Sequence, residues 1–313
     1  MRQLALLIAL FPALAGAGEG GATPRGKRTP RPKATHLTVA AASLDVGGAK
    51  VPLDPGVPLA VGAMAAKGKV RVTVLGAVVL SGTLEVQAIG KVVRADSELR
   101  ALDGQGRLGT ARAGAGLRTP PGRKAPAGMV VVASVGPVIL EALLPADALA
   151  AEPRELVIHE DWNARTEKAA ELFATAQLKA PALARLEPGA RLVLLEHKGE
   201  VAHVRTQGAL AVEGWTLAAN VGDKQATDLD KPAERIKPSH EVFVDAPLYA
   251  AGEGKRSLGV VRGGTLVQAE KLLVGDPAAR AKVKILGPVK ATGYMKLADL
   301  RKLEESVWSE EGR

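Results

Sequence analysis

The chain has 313 residues, a net charge of +9, 47% hydrophobic content and few aromatic side chains: three Trp, two Tyr and three Phe. It has no cysteine, which excludes disulfide staples, thiolate nucleophiles and a lipid-modified cysteine behind a leader. The length allows two or more domains, and their cores must be built from Val, Leu, Ile and Ala.

Residues 1–17, MRQLALLIALFPALAGA, combine a basic start, an apolar run from Leu4 to Leu14 and the small triplet Ala15-Gly16-Ala17. That is the pattern of a secretory signal cleaved after Ala17, and its apolar run is too short for a permanent span. No later segment has the apolar length of a span, so the expectation is an exported protein, periplasmic or extracellular, without a transmembrane anchor. Residues 18–35 follow as a basic, proline-rich linker. Its stretch TPRGKRTPRPK carries Arg25, Lys27, Arg28, Arg31 and Lys33 without an acid. Two readings stand: a stiff solvated spacer, or contact with an anionic polymer such as lipopolysaccharide, wall material or nucleic acid. Nothing points to sequence-specific nucleic-acid binding.

From residue 36 onward one frame recurs four times. Gly76 leads to Gly82 and Ile89, Gly136 to Ala142 and Leu149, Gly208 to Gly214 and Val221, and Gly287 to Gly293 and Leu300. The first glycine is followed by Ala77, Pro137, Ala209 or Pro288, and recurrence at one spacing marks internal repeats. Upstream of each frame lies an opening signature, apolar-x-x-Gly-x-x-Leu: Leu53, Gly56 and Leu59; Ala111, Gly114 and Leu117; Leu186, Gly189 and Leu192; and Val260, Gly263 and Leu266. The interval between the signature glycine and the first frame glycine is 20, 22, 19 and 24 residues. The variation falls where MAAKGK, TPPGRKAPAG, EHKGE and VGDPAARAK have the composition of turns, as in hairpins of variable loop length. A recurring glycine marks positive φ or a close backbone approach.

The copies are assigned to residues 36–95, 96–151, 166–225 and 239–303. Val70, Val72 and Val74 alternate with Arg71 and Thr73, the period of a half-buried strand. After each first frame glycine, Val78, Val138, Leu210 and Val289 share a face with Leu80, Leu140, Val212 and Ala291. Ser81, Glu141, Glu213 and Thr292 take the opposite, water-facing side. Residues 152–165 are a connector, and the alanine-rich WNARTEKAAELFATAQL beside it has apolar residues at helical spacing, so a short helix is expected between copies two and three. The alternative is an opening strand, because LFATAQL matches the opening of copy four. Residues 226–238 read as a polar linker and 304–313 as a charged tail ending in a frayed helix.

Gly214-Trp215 and Gly293-Tyr294, with the opening signatures and the final apolar residue, resemble the bacterial Src-homology-3-like (SH3-like) domain. Copies one and two carry Thr83 and Leu143 at the aromatic position. The resemblance implies an all-β protein of four tandem small barrels, each with its own hydrophobic centre. It also implies a non-catalytic binding or scaffolding role in the cell envelope, with an envelope protein, a peptide or peptidoglycan as partner. Trp215 and Tyr294 have two readings, core aromatics closing the barrel or surfaces on which a ligand stacks.

Chemistry is sparse. His36, His159, His197, His203 and His240 show no HExxH, and only His197 and His203 are close enough to meet across a hairpin, which leaves a metal site short of ligands. No metal or other cofactor is expected. No GxSxG elbow occurs, and Ser134 belongs to a strand. Gly104-Gln105-Gly106-Arg107-Leu108-Gly109 precedes no apolar helix, so it reads as a hairpin turn rather than a phosphate cradle. The polar cluster His159-Glu160-Asp161-Trp162 carries the competing view, an enzyme or enzyme inhibitor with its active residues in the 152–165 connector.

Overall fold

The computed structural model describes residues 32–66, 68–156, 161–179, 181–224, 236–270 and 279–303. The secretory pattern, Arg25, Lys27, Arg28, Arg31, most of the 226–238 linker and the 304–313 tail lie outside them; Lys33 is exposed. From Lys33 onward the chain forms one compact unit. It is all-β: the described residues hold 28 strands in antiparallel ladders, short 3₁₀ turns and no α-helix. The helix expected between copies two and three is therefore corrected. Its sequence makes the strands Ala164–Thr166 and Ala170–Phe173, matching His240–Val242 and Ala246–Tyr249 in copy four. Cross-strand partners override the helical leaning of an alanine-rich stretch.

The first repeat shows the pattern. His36–Thr38 pairs with Pro58–Ala66 on one side and Ile89–Val93 on the other. Pro58–Ala66, Lys69–Val74 and Val78–Glu85 form a meander, and Ala42–Val46 joins it through Asp45 opposite Thr83. A 3₁₀ turn, Val86–Ala88, precedes the last strand. Equivalent turns at Ala146–Ala148, Ala218–Asn220 and Leu297–Asp299 lead into Leu149, Val221 and Leu300, the final apolar residues of the frames.

The two frame glycines have different causes. Gly76, Gly136, Gly208 and Gly287 have φ of +124°, +109°, +122° and +129°, backbone that side chains resist. Gly214 and Gly293 have no positive φ; a Cβ there would lie 2.5 Å from the Phe173 carbonyl oxygen or 2.7 Å from that of Tyr249. In copy four the opening signature sits one residue later than expected. Gly264 has the φ of +86° that matches +89° at Gly56, and Val261 and Val267 are the buried residues while Val260 is 40% exposed.

Among the described residues four separate hydrophobic centres are not found. One core joins repeats one and four, with Leu44, Leu53, Leu80, Val242, Leu248 and Met295 among its members. A second joins repeats two and three through Leu99, Leu117, Leu144, Leu172, Leu192 and Val212. The segment after the first frame glycine explains the pairing. Val78, Val79 and Leu80 pair with Val261, Val260 and Gly259 of repeat four, and Val289 of repeat four bridges back to Leu53. Leu210, Ala211 and Val212 pair with Ala111, Thr110 and Gly109 of repeat two, while Val138 and Ile139 pair with Leu186 and Arg185 of repeat three. Each repeat thus lends the segment after its first frame glycine to its partner, as paired strand in repeats one, two and three and as a single bridge in repeat four. The two halves meet at Ile89–Val93, which pairs with His36–Thr38 of repeat one and with Gly116–Arg118 and Leu149–Ala150 of repeat two. Leu37, Val92 and Ala150 make a small third cluster there.

Candidate functional site

Inward-pointing residues of the Val201–Thr206 and Leu210–Leu217 hairpin fill the core, so its odd-numbered positions face outward. On that face His203 stands opposite Trp215 and Arg205 opposite Glu213. The His203 and Trp215 rings stack at 4.6 Å with an interplanar angle of 8°, and His203 Nε2 lies 3.2 Å from Glu213 Oε1. Trp215 is half-buried under this contact and is not a core residue.

The same positions differ in the other repeats. Repeat four has Tyr294 opposite Lys282, and Glu270, 2.8 Å from the Lys282 ammonium, raises its pKa by hydrogen bond and charge. Beside Tyr294, Tyr249 is covered by Arg280, whose guanidinium lies 3.4 Å from the ring centroid and donates to the carbonyls of Ala251 and Gly254. Repeat one has Arg71 opposite Thr83. Repeat two has Val131 opposite Leu143, both buried, and Arg123 from the preceding loop reaches Glu141 at 3.0 Å. Repeat three alone carries a parallel aromatic pair here.

Beside the pair, the joint with repeat two opens into a cleft of ≈ 660 Å³ lined by Arg107, Thr110, Arg112, Asp161, Arg205 and Glu213 among others. Gln207, buried, ties its walls together: its Oε1 accepts from Arg112 Nη2 at 3.0 Å, and its Nε2 donates to Asp161 Oδ1 at 2.8 Å. Asp161 is exposed at the rim, and Glu160 and His159 lie outside the described residues. Trp162 is buried, with Arg165, Arg191 and Lys224 at 4.7, 5.2 and 4.2 Å from its ring centroid, an indole clamped by cations. No spacing rule pointed to this cleft, because its residues come from two repeats.

Other sequence candidates have structural work. Ser134 Oγ is buried, donates to the Val138 carbonyl at 2.7 Å and accepts from Leu140 N–H at 2.8 Å; Thr206 does the same in repeat three. Gly104-Gln105-Gly106 lies in the turn between Ser97–Arg100 and Arg107–Ala111, and Arg107-Leu108-Gly109 opens the second strand, a hairpin as its sequence suggested. His197 pairs with Ala202 while His203 pairs with Glu196. Among the described residues no cluster of three potential metal ligands occurs, and no helix is long and apolar enough to cross a membrane. Asp45 is held below the usual carboxylate range by hydrogen bonds from Lys50 and from Gly48 N–H. Comparison with protein-family models, curated protein sequences and solved structures finds no match for this chain.

Proposed function

We propose that this protein is an exported, non-catalytic binding or scaffolding protein of the bacterial cell envelope, built from four SH3-like repeats that engage a peptide, an envelope protein or wall material. The secretory pattern of residues 1–17 supports export, and the shared strand order with a 3₁₀ turn before each last strand supports the repeat assignment. One observation carries the binding role: repeat three holds Trp215 outside its core, stacked flat on His203. A large aromatic kept on a rigid sheet face, where repeat one manages with Thr83, supports a contact surface more than a packing need.

Pull-down from an envelope extract tests this, with the chain from residue 18 onward as bait and wall sacculi as a parallel target. Trp215→Ala should retain the circular dichroism spectrum and lose about tenfold or more of the captured partner, as a central hot-spot aromatic does. Equal capture by the variant would refute the assignment of this face.

A further inference from the structure

We infer that the cleft at the joint of repeats two and three binds the side-chain carboxylate of an acidic peptide, held by Arg107 and Arg205, with the next same-facing residue of that peptide lying on Trp215. This rests on the binding role given to the outer face of repeat three and names the chemistry of its ligand.

Three guanidinium groups line the cleft against two carboxylates, and both carboxylates already have partners, Glu213 with His203 and Asp161 with Gln207. Arg112 is committed to Gln207. Among the described residues Arg107 reaches only the hydroxyl of Thr110, at 3.3 Å. Arg205 has a solvent-shielded Nε with no hydrogen-bond partner among the described residues. That atom is closed to solvent, so an incoming ligand would meet Arg205 through the part of its guanidinium that lines the cleft, and a planar carboxylate is the acceptor that fits such a fork.

The molecule also contains its own control. The joint of repeats one and four has the same three-residue exchange, aligned by Gly259 with Gly109 and by Leu80 with Val212. There Arg205 is replaced by Thr73 and Glu213 by Ser81, which bond to each other at 3.0 Å, and Arg107 is replaced by Ser257. Joining two repeats therefore needs no arginine at these positions. What distinguishes the second joint is charge placed beside an aromatic pair. Arg205 and His203, like Glu213 and Trp215, are two residues apart on their strands, about 7 Å. An extended peptide repeats same-facing side chains at that pitch, so an acid over Arg205 places the next one over Trp215. With so few aromatics in the chain, a single stack suits one peptide side chain better than a run of sugars.

Fluorescence anisotropy at low salt on the chain from residue 18 tests the inference. The probe is a short labelled peptide in which glutamate alternates with valine and one tryptophan, compared with its glutamine counterpart. The acidic peptide should bind about tenfold more tightly, and Arg205→Gln or Arg107→Gln should each remove about that factor. Arg205→Lys should fall between, and Lys284→Gln in repeat four should change nothing. Added salt should weaken the acidic peptide and spare the other. All variants are compared at matched thermal stability, so a folding defect cannot mimic lost contact. Equal affinity for the two peptides, or an unchanged Arg205→Gln, overturns the carboxylate site; if that shared binding still disappears in Trp215→Ala, the contact surface survives without it. Binding of an oligouronate in place of the peptide overturns the inference in favour of a glycan. Failure of both peptides also overturns it, and the envelope pull-down then judges the surface separately.

Discussion

His36 and His240 hold the same place in repeats one and four, the first residue of the opening strand. Each ring nitrogen Nδ1 meets the hydroxyl of the residue before it, Thr35 at 3.1 Å and Ser239 at 2.9 Å. Burial lowers the pKa of both below the usual 6.5, and the nearby ammonium of Lys91 or Lys302 lowers it further. A histidine with a depressed pKa in the folded state takes up its proton first in the unfolded chain. Its contribution to stability is then intact above about pH 6.5 and declines as the pH falls through that value toward the folded pKa. The melting temperature should therefore drop between pH 7.5 and 5.5, and the double variant His36→Gln, His240→Gln should show a shallower drop in the same calorimetric series. Identical slopes for the two proteins would refute it. Both rings are partly solvated, so the effect is a change of slope, not a collapse.

At the level of the strand, one small residue governs how far a lent segment runs. Gly109 and Gly259 permit three paired positions, and a Cβ on either would overlap the carbonyl oxygen of Ala211 or Val79. Ala184 at the equivalent place permits two; in the fourth case Pro52, which accepts from Lys290 N–H but has no N–H to give back, leaves the single bridge of Leu53 with Val289. Gly259→Val should cost about 1–3 kcal/mol by overpacking and should speed amide exchange across Val78–Leu80 while leaving Leu210–Val212 protected. Unchanged exchange at Val78–Leu80 would show that the lent strand is not limited in this way. Much of this element was legible in the sequence. Valine alternation gave the inward face, and the frame glycines marked the turn and the close approach. The opening signature of copy four slipped by one because Gly263-Gly264 and Val260-Val261 offer two equivalent readings beside a loop of variable length, and only the φ of Gly264 decides. The lending of strands was not legible, since nothing local to Val78–Leu80 says that its partner lies about 180 residues away. The arginine cleft shared that fate, although aligning the four copies by position would have shown Arg205 standing where repeat one has Thr73.

Across the whole chain the pairing is nested, two with three inside and one with four outside, so the tandem order in sequence is not the order of folding units. Repeats two and three meet over a short chain separation and share one core. Repeats one and four must close a loop of well over a hundred residues before Leu53, Leu80, Val261 and Val289 can pack, an entropic cost that grows with separation and slows folding. A lone repeat exposes the face its partner covers and falls in the size range where a small core is marginal. Fragment 89–224, which keeps the shared strand Ile89–Val93, should melt cooperatively by itself. Fragment 33–95 should show little chemical-shift dispersion alone and gain it when mixed with fragment 236–303, because the lent strands can then be exchanged between chains as they are within one. A cooperative melt of fragment 33–95 in isolation would mean that each repeat stands on its own core, and the joint between repeats two and three would then be a docking of finished domains instead of the rigid floor on which Arg205 and Trp215 are fixed.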